Sequence, residues 1–497
     1  QEKAKLQGLV KDIVSSDDFY DTFKSLKSFY DVHLFESLMY NPMVEATPRD
    51  TYLKLYQAMD KVAYYNKERE FAFGISMYSN KIQNYEFMNK ENAKGWYTSD
   101  GASYLYNDDL SHYSDDYWAT VDPYKLAGIT ETNEARVKGS GMTTMDHSFV
   151  GSTALGNKYG TVAMDFQNWN KTLTAKKSWF ILGDRIVFLG SDIKNSTDNE
   201  AYTVVDNRKV QRDSRNRSAS KNDYSVVANG KEVPVSDADN KMQVKDLLLK
   251  SQNTQMNIGY KFLEPTTVNV KKENRKGTWK DINEGQSDEE VENSFISIVQ
   301  PHDATNNKYA YVLYPNRSDK EFEEEKNKDD IQVVENSEKT QAVFDKTNQI
   351  YGVVKYDDSE LTLEDGLVLK EKGIYTIKKD GNKLDIAFLN PEDPSAGLPA
   401  LHTDQYELQN STEPTVENKI RYYTYLVKKQ TEEETTQEQT QENSSEITTE
   451  NTNSEASKEE ALPATGVQNL EVYSLLGILL LTISMIFYKK TFTKIKK

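Results

Sequence analysis

The chain has 497 residues, long for one domain, and 37% of them are hydrophobic, so roughly three domains with attachments are expected. A net charge of −18 excludes a nucleic-acid binder, which needs a basic footprint. It does not exclude an anionic polysaccharide, because net charge governs solubility and long-range steering while a cleft can be locally basic. The absence of cysteine excludes a disulfide-stapled module.

At the start of the chain Leu6, Leu9, Val10, Ile13 and Val14 recur at helical spacing. Ser16 can cap a second helix carrying Phe19, Tyr20, Phe23 and Leu26. Val32, Leu34, Phe35, Leu38 and Met39 form a third apolar set. Three short helices cannot bury this surface among themselves, so residues 1–44 read as the end of a larger helical domain. Pro42 and Pro48 mark a linker, and a helical piece is expected over residues 52–65.

Strands and turns follow. The run from Trp179 to Leu189 reads as two strands around a tight turn, and Asn229-Gly230 and Asp380-Gly381 are two-residue hairpin signals. Phe295 to Val299 and Tyr309 to Tyr314 are β-prone and rich in aromatic or β-branched residues. Residues 45–318 therefore read as one large antiparallel β-sandwich domain. The charged stretch 319–330 marks a boundary or long loop, and a smaller β domain follows over 331–429. Residues 430–461 are Thr, Glu, Gln, Asn and Ser with almost nothing to bury, an expected disordered acidic spacer. Ten Glu and one Lys between 431 and 460 contribute −9 of the net charge, and like charges favour extension. No repeat with a solenoid period is present.

Leu462-Pro463-Ala464-Thr465-Gly466 is similar to the sortase signal of Gram-positive surface proteins. An apolar segment at 472–488 follows, at the short limit for a membrane helix of ~17–25 residues. Lys489, Lys490, Lys494, Lys496 and Lys497 then form a basic cytoplasmic tail over 489–497. The alternative is a single-pass anchor without sorting. The likeness implies sortase as a partner, cleavage between Thr465 and Gly466, and covalent attachment of a secreted protein to peptidoglycan. Export needs a signal peptide, yet residues 1–15 have no uninterrupted apolar core and no small-residue cleavage site. An N-terminally incomplete fragment is expected.

Residues 84–130 carry the most specific pattern: Asn89, Asn92, then Gly95-Trp96-Tyr97-Thr98-Ser99-Asp100-Gly101, Tyr117-Trp118, Asp122-Pro123-Tyr124 and Gly128. The pattern continues through Ala163-Met164-Asp165-Phe166, Lys176 to Phe180, Lys280 to Gln286 and Gly352 to Asp357. These motifs resemble polysaccharide lyase family eight, most closely its streptococcal-type hyaluronate lyases, over roughly residues 1–400. The resemblance implies a mainly β fold: the end of an α/α toroid, a large antiparallel β-sandwich domain and a smaller β-sandwich domain. It implies cleavage of hyaluronan or a related acidic glycosaminoglycan by β-elimination at the uronate, without a cofactor. A base removes the proton beside the carboxylate, whose developing charge must be neutralised.

The family supplies an Asn, a His and a Tyr for this, with His and Tyr nine residues apart in a toroid motif. That motif is absent here. Of five histidines only His302 has a Tyr nine positions on, Tyr311, and its context lacks the rest of the motif. No catalytic residue is therefore expected in this chain. Glu86 and Asn89 match family positions at the cleft face of the β domain, implying substrate contact by Asn89 and support of the catalytic cluster by Glu86. A turn or capping role is the alternative. Asn84, Tyr85 and Asn92 are weaker candidates. A non-catalytic, wall-anchored polysaccharide-binding protein or a chondroitin-type lyase remain the other readings of function.

Further constellations carry less. Asp108, Asp109, Asp115 and Asp116 around His112 lack ordered metal-ligand spacing and read as a solvated acidic loop, so no metal is expected. Asp146 and His147 have no nucleophile-elbow serine beside them. Arg208, Lys209, Arg212, Arg215, Arg217 and Lys221 read as an exposed basic loop, with polyanion attraction as the alternative. Trp96 and Trp118 fit sugar stacking and β-domain core equally.

Overall fold

Apolar runs without alternation demand burial on both faces, and the run from Trp179 to Leu189 obtains it. A computed structural model describes residues 2–15, 28–109, 111–210, 224–364, 366–398, 401–403, 406–410 and 414–429. Helices α1 (Glu2–Val14) and α2 (Phe29–Met39) form as expected, and the set from Phe19 to Leu26 lies outside the described residues. Where a helical piece was expected over 52–65 there is a hairpin, β1 (Tyr52–Tyr56) and β2 (Lys61–Asn66). Its side chains are buried with period two: Val62, Tyr64 and Asn66 point inward and their neighbours outward. Tyrosine-rich, half-buried segments favour strand. With β3 (Phe71–Ser76) and β4 (Ala102–Tyr106) the hairpin makes a four-stranded antiparallel sheet.

The second sheet has twelve described strands: β5 (Thr130–Thr132), β6 (Val150–Leu155), β7 (Tyr159–Gln167), β8 (Leu173–Leu182), β9 (Ile186–Asn195), β10 (Ala201–Lys209), β11 (Ser225–Ala228), β12 (Lys231–Val233), β13 (Lys241–Lys250), β14 (Ile258–Gly277), β15 (Val291–His302) and β16 (Tyr309–Pro315). The main path runs β12-β11-β13-β14-β16-β9-β8-β7-β6, with β15, β10 and β5 branching from it. The β8–β9 turn places Gly183 at φ 73° and closes on a Leu182 N–H to Arg185 carbonyl bond of 3.0 Å. Asn229 and Gly230 form their predicted left-handed turn between β11 and β12, at φ 51° and 73°. The other signal lies one residue early: the ladder closes at Asp380 and Lys383, so Gly381-Asn382 forms the turn.

The third sheet has eight described strands, beginning with β17 (Ile331–Asn336), β18 (Thr340–Asp345) and β19 (Ile350–Lys355). Its last strand, Ile420–Lys429, is hydrogen-bonded on both sides, to Lys383–Leu389 and to Tyr406–Asn410. This sheet packs on the second one. On β8 and β9, Trp179, Ile181, Ile186 and Phe188 enter the main core. Phe180, Leu182, Val187 and Leu189 enter another shared with Val343, Ile350, Val354 and Ile374. Gly352 belongs to that contact: a Cβ there would lie 2.2 Å from the Phe180 ring.

The charged stretch before the third sheet is not a plain loop. Asp319–Lys326 is helix α3, and Ser318 and Glu321 form a reciprocal capping box. Buried Arg185 binds Asp330 at 2.6 Å and fully buried Asp345 at 3.1 Å, tying this connection to β9 and β18. Residues 430–497, which include the acidic spacer, the sortase signal and the apolar segment 472–488, lie outside the described residues. Among the described residues no helix is long and apolar enough to cross a membrane.

A buried charge cluster joins the Gly95–Gly101 loop to β5 and β8. Lys177 is fully buried and donates to the carbonyls of Asp100 and Gly128, each at 2.8 Å. The carboxyls of Asp100 and Glu131 are both 0% exposed beside it, and the charge of Asp100 opposes ionisation of Glu131. Burial holds both carboxyls above their ordinary range and pushes Lys177 down to about 7. Arg136 flanks the cluster, its guanidinium 4.1 Å from the Trp169 ring centroid and 5.1 Å from that of Tyr97.

Two stability effects are expected. Arg185→Ala strands buried Asp345 and Asp330, and urea unfolding should register a loss of about 3–5 kcal/mol. Because the folded-state pKa of Lys177 is depressed, the unfolded chain binds the extra proton between about pH 7 and the ordinary lysine value. That contribution is complete above the ordinary value and disappears as pH falls through about 7. Stability of the native chain minus that of Lys177→Met should therefore increase from pH 7 to pH 10. A flat difference across thermal unfolding series would contradict the assignment.

Candidate functional site

The signature segment splits into a buried half and a displayed half. Trp96, Tyr97 and Asp100 are core. Ahead of them Met88 and Glu91 pair as an isolated bridge across a two-residue turn, with Asn89 at φ 53° and Lys90 at φ 63°. Asn tolerates this left-handed conformation better than most residues. The turn therefore places Asn89 at an exposed tip, with exposed Glu86 just before it. Among the described residues neither side chain makes a hydrogen bond or ion pair. The turn reading of Asn89 holds for its backbone, and its amide is left available.

Asn84 and Tyr85 do not share this freedom. Asn84 is fully buried; its amide donates to Trp96 and Gly141 carbonyls and accepts from the N–H groups of Tyr85 and Thr143. The Tyr85 hydroxyl donates to the Ser140 carbonyl at 2.7 Å.

The displayed turn is zipped to a distant segment. After β14, Thr278 caps a short 3₁₀ turn, Trp279–Asp281. The Asn92 N–H donates to Asn283 Oδ1 at 2.7 Å, the Ala93 N–H to the Ile282 carbonyl at 2.9 Å, and the Glu284 N–H to the Lys90 carbonyl at 3.0 Å. Lys94 and Lys138 both bind Asp281, at 2.8 and 2.6 Å. Two lysines on one carboxylate leave a net positive charge there, and they hold the Asp281 carboxyl below the usual range. The Asn92 amide bonds back to the Glu86 carbonyl at 2.8 Å and lies over Gly95, where a Cβ would be 2.4 Å away.

Between these segments and the short helix Tyr117–Thr120 lies a pocket of about 280 Å³. Asn92, Lys94, Trp118, Leu126, Trp279 and Asn283 are among its walls. Trp118 is 36% exposed, whereas Trp96 is 3% exposed, so the two candidate stacking residues part company. Trp279 is fixed by an indole N–H bond to Asp116 at 2.7 Å. Sequence reasoning passed over Trp279, Lys94 and Asn283. The signals were the signature segment around Lys94 and the motif from Lys280 to Gln286, which carried family likeness but gave these residues no role.

Other expectations resolve structurally. The acidic loop is not simply solvated: His112 is buried and accepts the Lys209 N–H at 3.2 Å, and buried Asp109 accepts from Ser111 and Tyr224. Among the described residues no group of three His, Cys, Asp or Glu could hold a metal. Arg208 and Lys209 are buried in β10 rather than exposed, and Arg212, Arg215, Arg217 and Lys221 lie outside the described residues. His302 bonds Thr203 and the Asn306 carbonyl, while Tyr311 stacks on Phe188 in the core, so they form no pair.

The description polysaccharide lyase family 8, super-sandwich domain, matches residues 51–326. The family's C-terminal beta-sandwich domain matches 332–397, and the LPXTG cell wall anchor motif matches 454–491. The chain is 38% identical over 396 residues to a hyaluronate lyase of Staphylococcus aureus, covering 78% of this chain and 47% of that one. It is 36% identical to hyaluronate lyase HylB of Enterococcus faecalis, covering 68% and 34%. The solved structure of Paenibacillus xanthan lyase superposes with a TM-score of 0.73 at 27% identity, over 86% of this chain and 42% of that one. The chain spans about half the length, or less, of these curated relatives.

The turn sets an expectation for Asn89. Asn89→Val should cost about 1–2 kcal/mol in chemical denaturation through left-handed strain, whereas Asn89→Gly should leave stability within about 0.5 kcal/mol.

Proposed function

The chain belongs to polysaccharide lyase family 8 and is a secreted protein covalently anchored to the Gram-positive cell wall, and from that premise we propose that its β-rich body is the glycan-holding face of a hyaluronan-cleaving lyase. The observation that carries this reading is the displayed pair Glu86 and Asn89, whose side chains are exposed and uncommitted on an otherwise well-bonded loop. Polar groups without partners keep their full hydrogen-bonding capacity for a hydroxyl-rich ligand, while the well-bonded backbone of the loop fixes where they are presented.

In this reading the Asn89 amide hydrogen-bonds the sugar and Glu86 orients a neighbouring group. The reaction is β-elimination: a base takes the proton beside the uronate carboxylate, the carbon–oxygen bond at the neighbouring carbon breaks, and a double bond forms in the product. The two residues position the glycan and neither serves as the base. The domain division is part of the same proposal: helices over 1–44, a lyase sandwich over 45–318, a second sandwich over 331–429, and an acidic spacer over 430–461 leading to the sorting signal. Sortase is the partner that joins Thr465 to peptidoglycan. Hyaluronan is preferred over chondroitin as substrate because two curated relatives at 38% and 36% identity are named hyaluronate lyases.

The test combines binding and turnover. Calorimetry of the full chain with hyaluronan oligosaccharides should show binding that Asn89→Gly weakens about tenfold, the effect of one lost hydrogen bond, without loss of stability. Ultraviolet absorbance of the new double bond, followed in the same mixtures, reports elimination. Binding without absorbance change supports a glycan-holding role for this chain. An absorbance rise would place a base within it and overturn the assignment of Glu86 and Asn89 as the whole of its site. Chondroitin oligosaccharides binding more tightly than hyaluronan would reverse the preference.

A further inference from the structure

The pocket between the turn and the Trp279 segment has no part in the reading above. Its walls combine two tryptophans with two asparagines and a lysine. At about 280 Å³ it lies near the lower end of small-molecule sites, which run ~300–1,000 Å³, so one sugar ring is the appropriate scale. The partly exposed indole of Trp118 offers an apolar face of the kind that receives the C–H face of a pyranose. Trp279 is held by Asp116, and a fixed ring costs little ordering on binding.

The polar wall selects among sugars. Asn92 Oδ1 and Asn283 Nδ2 make no hydrogen bond to a described residue, so an acceptor and a donor are both available. Lys94 shares Asp281 with Lys138, which leaves one positive charge uncompensated at the rim. A neutral sugar would leave that charge unused, whereas a carboxylate completes it. The nearby Lys90–Glu284 ion pair is neutral and adds nothing to the balance.

We propose that this pocket is a saccharide subsite for a uronate residue, the ring lying on an indole face and the carboxylate meeting Lys94 and the Asn283 amide. It rests on the reading of the chain as a glycan-holding lyase face and extends that face beyond Glu86 and Asn89. The Asn92 amide, a wall of the pocket, bonds the Glu86 carbonyl, so the pocket borders the segment that displays Glu86 and Asn89.

The five tryptophans make the proposal readable in solution. The full chain, labelled with 5-fluorotryptophan, gives fluorine signals that single Trp→Phe variants assign. A hyaluronan tetrasaccharide should move the Trp118 and Trp279 signals and leave those of buried Trp96 and Trp179 in place. Neutral chitotetraose should move neither. Trp118→Ala should weaken calorimetric binding roughly five- to tenfold, the effect of one aromatic contact, and Lys94→Gln should remove the preference for the acidic sugar. If the tetrasaccharide binds in an Asn89-dependent way while the Trp118 and Trp279 signals stay still, the pocket proposal falls and the reading of the glycan face stands. If chitotetraose moves both signals equally, the uronate assignment is overturned. If no oligosaccharide moves a signal or releases heat, both fall.

Discussion

Everything displayed on this surface depends on titratable groups buried beneath it. Asp100 and Glu131 are buried side by side against Lys177, and the desolvation of such groups is costly unless each is held. The arrangement is tolerable only when the Gly95–Gly101 loop, β5 and β8 sit in one relation, because Lys177 must reach the carbonyls of both Asp100 and Gly128. The Met88–Glu91 turn and the walls of the pocket are continuous with that loop. Their rigidity is inherited from an electrostatic constraint in the core rather than created at the surface.

This gives the signature segment a different meaning from the one its sequence invites. Trp96, Tyr97 and Asp100 are the most distinctive letters, yet they are core, and the ligand-facing residues proposed here are the plainer Glu86, Asn89, Asn92 and Lys94. A motif reports what the fold cannot vary, which includes the packing under a site as much as the site. Asn89 was marked by its match to the family pattern, and its left-handed turn adds a backbone reason for an asparagine there. No role was legible for Trp279 or Asn283, since Asn283 reaches Asn92 from almost two hundred residues away and no local pattern encodes that meeting.

The fold was legible where one physical signal dominated. Gly183 between two apolar runs and Asn229-Gly230 before a strand leave little choice of turn. Residues 52–65 misled because tyrosines and leucines satisfy either period over so short a span, and pairing with β3 decides it. The charge run before the third sheet misled in another way. Polar composition suits a loop, but Ser318 and Glu321 already spell a helix start, and Arg69 reaches Glu321 to hold it. Arg208 and Lys209 were misjudged as exposed because only tertiary structure supplies the carbonyls and carboxylates that let them be buried.

The strand that precedes the wall tether is hydrogen-bonded along both edges, to Lys383–Leu389 and to Tyr406–Asn410. A wall-anchored protein that, as proposed, holds a glycan is a link in a chain under load. A pull along Ile420–Lys429 must slide two ladders at once, so the rungs share the force instead of opening one by one. On the proposed reading, the drag of a held polysaccharide would reach the tether through this doubly bonded strand.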